Sequence, residues 1–492
     1  MRRYLLAIDQ GTTGTTALLI DRSLSLLGKV TIDFPQHFPK PGWVEHNPEE
    51  IWSSVAKAVC RVLFDTNIRS SEIAAIGITN QRETVLPWDR NSGEPAANAI
   101  VWQCRRTRDL CQQMKQDGLE ELFQKRTGLV LDPYFSGTKM RWLLDHVAGL
   151  RRRAEQGTIA FGTIDSFLVW RLSGGRAHVT DVSNASRTLL MDLKSLAWDD
   201  ELLSQLKIPR ETLPEIKPSA EIYAETRGLD FLPDGIPIAG MAGDQQAALF
   251  GQACFAAGEG KCTYGTGAFL LINTGDQPIP SHSGMLTTVA WQVQNQTCYA
   301  LEGSSFIAGA AVQWLRDGLG LIKSSAEIEA LAASVADSGE IVFIPALTGL
   351  GAPHWNAEAR GSITGLTRGT TAAHLARATL EGVALQIHDL TKAMNNDRGG
   401  PLAEFKVDGG AAGNNLLMQM QADFLSLPVI RPKTIETTAL GAAMLAGLAI
   451  GFWSNLDQLR AQWQEERRFV PQMGKDERAR ILDRWQQAIK KI

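Results

Sequence analysis

The same short pattern stands twice in this chain, near residue 10 and again near residue 265. An apolar run at residues 4–8 meets DQGTTGTT at residues 9–16, and a second apolar run follows at 17–20. Residues 261–271, KCTYGTGAFLL, repeat the order of strand, Gly/Thr turn and strand. Short apolar runs on either side of a small polar turn fit the buried strands of a hairpin. The echo points to two related halves, each with a turn able to cradle phosphate through backbone N–H groups and threonine hydroxyls. A plain hairpin turn accounts for either motif taken alone. No Gly-Lys-Ser/Thr follows, so a Walker A loop is excluded, and no G-x-G-x-x-G opens a helix. Asp9, beside the first turn, can reach Mg²⁺ directly or through water.

Between the two hairpins, residues 236–239 read as a strand that feeds Gly240, Gly243 and then Asp244, where a run of helix formers begins. Asp244 reads as a helix N-cap, whose carboxylate accepts a backbone N–H, and also as a general base exposed at an element end. The two readings are compatible. The glycines around it suit close ligand approach and a hinge. Residues 73–79 form another expected strand, delivering Arg82 and Glu83 at its end, where open α/β sheets bind ligands. Such a pair can bind adjacent hydroxyls of a polyol, one donating and one accepting; a surface ion pair is the plainer account. Trp102, after an apolar run at 99–101, reads as core or as a pocket wall. Arg105 and Arg106 read as a solvated helix start. The turn at 132–139 sets Tyr134 beside a helix continuing from Met140.

Residues 160–165 and 179–187 read as strand-to-turn scaffold. Asn47 caps a helix with Pro48 at its first position and Trp52, Val55, Val59 and Val62 on one face. Residues 303–315 look like a helix entered through small residues. Thr370 is expected to cap a long helix with Ala373, Ala376, Leu380, Val383, Ile387 and Leu390 toward the core. A strand at 405–408 leads into a glycine-rich turn and a helix from Leu416; a base or ribose can approach that turn, and Asn414 can hydrogen-bond it. The tail after Ser454 is charged and helical.

Composition narrows the class. The 492 residues allow two or more domains, and a formal net charge of −4 gives no basic field for nucleic acid. Six cysteines without a C-x-x-C pair argue for reduced thiols in a cytoplasmic setting and against a zinc ribbon. No signal peptide is expected at the start. The most apolar stretch, residues 439–453, is shorter than the ~20 residues of a membrane span, so a buried helix is expected there.

Together, DQGTTGTT (9–16), GITNQRET (77–84), IVWQCRRT (100–107), DPYFSGTKM (132–140), AGDQQAALFGQ (242–252), TYGTGAFLLINTG (263–275), GLGAPHW (349–355), RGSITGLTRG (360–369) and KVDGGAAGNN (406–415) resemble the glycerol kinases of the FGGY carbohydrate kinase family, nearly end to end. The resemblance implies an α/β fold of two ribonuclease-H-like domains, of the actin/hexokinase/Hsp70 type, around a central cleft. Residues 1–246 would bind glycerol and phosphate, and residues 247–492 the nucleotide. It implies ATP-dependent phosphorylation of glycerol to sn-glycerol 3-phosphate, with ATP as co-substrate and Mg²⁺ beside Asp9. By the same resemblance Arg82, Glu83, Tyr134, Asp244 and Gln245 bind glycerol, Trp102 and Phe269 line its carbon face, and Asp244 is the general base. Thr12, Thr13, Gly14, Thr266, Gly309, Gln313, Gly410 and Asn414 would contact the nucleotide. Glycerol and ATP are the expected partners, with no nucleic acid and no membrane span; homodimer and homotetramer both stay open.

Three departures concern the nucleotide and its control. Thr16 stands where enterobacterial members have an arginine near the phosphates. Residues 226–235 lack the basic loop that binds fructose 1,6-bisphosphate in those members, and residues 471–478 match their regulatory-protein segment poorly. A kinase of another small polyol or ketose, and a catalytically silent nucleotide-binding regulator of the same fold, are the alternatives.

Overall fold

The computed structural model describes residues 2–356 and 358–492. Both repeated motifs are antiparallel hairpins, and each begins the same sheet order. In the first set, Tyr4–Gln10 pairs with Gly14–Ile20, which pairs with Leu26–Asp33. On its other side Tyr4–Gln10 runs parallel to Ile73–Asn80, followed by Pro237–Gly243. In the second set, Glu259–Tyr264 pairs with Ala268–Gly275 and then Gln296–Ser305. Glu404–Asp408 and Val429–Pro432 lie parallel on the other side. Numbered along the chain, each set has the order 3-2-1-4-5, the ribonuclease-H-like topology implied above. The sets join edge to edge through Ala220–Glu225 and Leu286–Val293, which meet at Ala220 and Val293, making one 13-stranded sheet.

Helices cover both faces, which is why the central strands read as continuous apolar runs. Leu5, Leu6, Ala7 and Ile8 are all fully buried. Pro48–Thr66 covers one face of the first set with Ile51, Val55, Val59 and Val62, and Asn47 caps it by accepting the Glu49 N–H. Thr437–Ala449, the buried helix expected from composition, covers the other face and crosses the helix Asp244–Gly251. The crossing is close enough to require glycine: a Cβ at Gly441 would lie 1.9 Å from the Ala247 carbonyl oxygen, and one at Gly77 2.2 Å from that of Ala442. A helix from late in the chain is thereby seated on the sheet of the first half, beneath Asp244. No helix among the described residues is long and apolar enough to cross a membrane.

Several local expectations need correction. The long helix, Ala372–Arg398, buries its six expected core residues but is capped by Thr371, whose side chain pairs with His374. Residues 160–165 do not end in a turn: Ile159–Thr163 runs straight into the helix Ile164–Leu172, hidden because that helix is apolar nearly all round. Gly303, Ser304 and Ser305 close a strand, and the helix starts only at Gly309. The helix after Tyr134 begins at Ser136. The tail is not wholly helical, because Glu465–Phe469 adds an edge strand. A smaller sheet of Glu45–His46, Ala99–Ile100, Val85–Asp89 and Ile159–Thr163 stands on the first half beside the Arg82 turn.

Candidate active site

Asp244 sits where Pro237–Gly243 passes into helix, next to the carboxyl end of Ile73–Asn80. It is the first helical residue; Gly243 holds the cap position and makes no side-chain cap, so the N-cap reading is corrected. Its Oδ1 accepts from the Gln245 backbone N–H at 2.7 Å and pairs with Arg82 Nε at 2.9 Å. No hydrogen bond from any described residue reaches Oδ2. Gly243 N–H donates to Ser183 Oγ at 2.9 Å, fixing the turn from behind. Although the side chain is only half-buried, desolvation pushes the Asp244 carboxyl up despite the opposing charge of Arg82.

Arg82 and Glu83 are not a surface pair: both are buried, at 2% and 1% exposure. Arg82 donates through both terminal nitrogens to Glu302, at 3.0 Å from NH2 to Oε1 and closer still from NH1 to Oε2. NH1 also reaches Gln246 Oε1 at 3.2 Å, and NH2 reaches the Tyr134 hydroxyl at a long 3.4 Å. Glu83 has φ +60°, the left-handed region that a non-glycine residue enters only when its surroundings hold it there. Its carbonyl accepts from Ser136 Oγ at 3.1 Å and Lys139 Nζ at 3.5 Å. Lys139 is buried and also donates to the Tyr134 carbonyl, tying the Arg82–Glu83 turn to the Tyr134 turn. The Glu83 carboxylate accepts from Arg187 Nε at 2.7 Å, and Arg187 NH2 donates to Glu302 at 3.0 Å. Burial would raise the Glu302 carboxyl, but Arg187 and Arg82 outweigh it and hold it at about 2.

One face of the second half's sheet forms the floor. Lys261, Leu271 and Glu302 lie side by side across three strands, as do Thr263, Phe269 and Ser304; cross-strand neighbours share a face. Phe269 is half-buried on that face. Lys261, wholly buried, donates to Gln245 Oε1 and to Thr263 Oγ1 at 2.7 Å. A lysine can only donate, so Gln245 turns its oxygen inward and keeps its NH₂ to donate elsewhere. Trp102 is not fully buried core: it is half-buried, packs edge-on to Tyr134 at 5.7 Å and donates from Nε1 to Thr12 Oγ1 at 2.9 Å. Thr12 therefore ties the first hairpin turn to Trp102.

Asp9 and Thr16 face each other across the first hairpin. The Asp9 carboxylate accepts no hydrogen bond from a described residue. It is pushed up to about 7 by burial and by the charges of Asp244 and Glu436, against the pull of Lys29. A cation would relieve that repulsion, so the residues present fit a divalent ion. Among the described residues no three or more His, Cys, Asp or Glu side chains group to hold a metal; Asp9 offers the single carboxylate typical of Mg²⁺ carried on phosphates. Thr16 Oγ1 shares a hydrogen bond with Thr31 at 2.8 Å. Thr13 is exposed at the turn and Gly14 opens the returning strand.

The remaining expected residues gather at the carboxyl ends of Glu259–Tyr264 and Glu404–Asp408. The Thr266 carbonyl accepts from Ala308 and Ala310, and Gly309 N–H donates to the Gly265 carbonyl, so Thr266 and Gly309 are adjacent. Gln313 follows one turn later on Gly309–Asp317 and is exposed. Gly410 lies exposed in the short turn Gly410–Gly413. Asn414 caps Asn415–Leu425, accepting the Leu417 N–H with its side-chain oxygen, which leaves its NH₂ to donate.

Four charged residues here escaped the sequence reading. Arg106 is no solvated helix start: it stacks on Trp43 and Trp142 and pairs with Glu45 at 2.7 Å. Arg187 lies in a segment read as scaffold, and Glu302 and Lys261 carry no motif of their own. The one local signal at Lys261 and Glu302 is a charge within a strand, which asks for a buried partner.

The profile for the N-terminal domain of the FGGY family of carbohydrate kinases matches residues 4–251, and that for its C-terminal domain residues 260–450. A glycerol kinase of Myxococcus xanthus (strain DK1622) is 59% identical over 491 residues, spanning 99% of each chain. One of Geobacillus kaustophilus (strain HTA426) is 53% identical over 490 residues, spanning 100% of this chain and 99% of that one. The crystal structure of Plasmodium falciparum glycerol kinase with ADP superimposes with a TM-score of 0.93 at 36% identity, covering 99% of this chain and 98% of that one. With these matches at its back, the chain belongs to the FGGY family of carbohydrate kinases.

Proposed function

We infer that this protein transfers the γ-phosphoryl group of ATP to a terminal hydroxyl of glycerol, giving sn-glycerol 3-phosphate and ADP. The observation that carries the reading is the converging set of Arg82, Glu83, Tyr134, Asp244 and Gln245, with an unbonded carboxylate oxygen on Asp244. Asp244 Oδ2 takes the proton of the attacking hydroxyl as its oxygen bonds to the γ-phosphorus and the bond to ADP breaks. Glu83 accepts from a neighbouring hydroxyl, and Gln245 donates, as does the second N–H of Arg82 NH2, which is engaged only by the long contact to Tyr134. Trp102 and Phe269 wall the C–H face. Catalysis of this kind is positioning and charge compensation more than covalent chemistry. Mg²⁺ bound with the nucleotide would supply positive charge to the phosphates, and Asp9 would hold it. Thr12, Thr13, Gly14 and Thr266 would meet the phosphates, and Gly309, Gln313, Gly410 and Asn414 the nucleoside.

Residues 1–246 then act as the substrate half and 247–492 as the nucleotide half, with a hinge near Asp244–Gly251. Full-length likeness to glycerol kinases supports the choice of glycerol over a larger sugar, as does a floor already filled by buried charge. A retained Asp244 speaks against a silent regulator. Six unpaired cysteines support a cytoplasmic setting. The test is ATP consumption with glycerol, dihydroxyacetone, xylulose, ribulose and erythritol. Glycerol should give the highest kcat/KM; a pentulose ahead of it would overturn the substrate, and no turnover of any would favour the regulator.

A further inference from the structure

Arg82 is oriented by a residue from the other half of the chain. Glu302 lies on Gln296–Ser305, inside the second family match, whereas Arg82 and Arg187 lie inside the first. Glu302 occupies NH1 and NH2 of Arg82, so Asp244 meets only Nε, and through Oδ1 alone. Glu302 Oε1 also accepts from Arg187, which passes on to Glu83. Glu83, Arg187, Glu302, Arg82 and Asp244 thus stand in a row of alternating charge, with a substrate-facing carboxylate at each end. Every member except Asp244 is buried.

Two-pronged contact is the strongest arrangement open to an arginine and a carboxylate. Two acceptors compete for it here, Glu302 and Asp244. If Arg82 turned both prongs to Asp244, Oδ2 would be spent on the arginine. Resting on the glycerol reading, we propose that Glu302 is a positioning residue for the transfer: by occupying the fork of Arg82 it leaves Asp244 one free oxygen for the substrate hydroxyl. Removing its charge would also leave Arg82 and Arg187 facing each other without the anion between them, which drives Arg82 further toward Asp244.

A double-mutant cycle on glycerol binding, read by titration calorimetry, separates this role from a merely structural one. Glu302→Gln should weaken glycerol binding by about tenfold or more while Asp244 is present. In an Asp244→Asn background the same change should cost no more than about twofold, because the amide draws Arg82 only weakly. Equal losses in both backgrounds, or no loss in either, would overturn the proposal. If Glu302→Gln does not fold, Glu302→Asp keeps the charge and withdraws the fork by one methylene; its coupling with Asp244→Asn should have the same sign and be smaller, and additivity there would overturn the proposal equally. Wild-type protein that neither binds nor phosphorylates glycerol would instead sink the glycerol reading, and this role with it.

Discussion

The two sides of the cleft, the proposed glycerol side and the proposed nucleotide side, are built in opposite ways. On the proposed glycerol side, Arg82, Glu83, Arg187, Glu302 and Lys261 are buried charges, each fixed by another charge or a polar side chain. On the proposed nucleotide side, Thr266, Gln313 and Gly410 are exposed and uncharged, and contacts there are backbone groups and small side chains. A three-carbon polyol has little surface to bury, so its binding must come from preset hydrogen bonds in a dry site. Such sites reject a ligand lacking one hydroxyl, because a buried partner is left unpaired. A nucleotide brings its own charge and a large flat base, so an open turn with free N–H groups suffices.

The sharpest break between the sides should come from the base. Asp244→Asn keeps the shape but loses the proton acceptor, a role worth typically ~10²–10⁴-fold; kcat should collapse by that order while calorimetry still detects glycerol. Near-normal turnover would remove Asp244 from the role. Next, Glu83→Ala deletes a charged acceptor, worth roughly 1.5–3 kcal/mol, or about 10–150-fold in kcat/KM for glycerol. The KM for ATP should stay within about twofold if the two sides are as independent as their construction suggests. A parallel loss on ATP would mean that the buried charge row also shapes the nucleotide side.

Thr16→Arg would bring a cation to the first Gly/Thr turn. Thr16 shares the face of Asp9 and gives up only its bond to Thr31. ADP should bind up to about tenfold tighter, a single charge-assisted bond partly offset by Mg²⁺, with glycerol affinity unchanged. Unchanged or weaker ADP binding would place Thr16 away from the phosphates. The smallest effect is expected at Gly410, where an added Cβ meets nothing within 4 Å. Gly410→Ala should fold normally and raise the KM for ATP by about two- to fivefold, the cost of crowding one contact of about 1 kcal/mol or less. An unaltered ATP KM would move the nucleoside off that turn.

Much was legible in the chain itself. The repeated strand–Gly/Thr turn–strand motif foretold two halves of one topology, because alternating apolar runs and small-residue turns are local signals. Asp244, Arg82, Glu83, Tyr134 and Trp102 could be named as candidates because each sits in a motif at the end of an element. Even the buried helix over most of residues 439–453 followed from composition, its buried part running to Gly447. What stayed hidden was non-local. Glu302 and Arg187 are 115 positions apart and meet only because the second half's sheet lies against the first half's turn. Arg106 looked solvated until Trp43 and Trp142 enclosed it, and Asp244 looked like a cap until the strand before it placed Gly243 at that position. Sequence fixes which side chains are available and which local element carries them. Whether a charge is solvated, paired or held in reserve depends on what the fold stacks against it, and that partner comes from the far side of the chain.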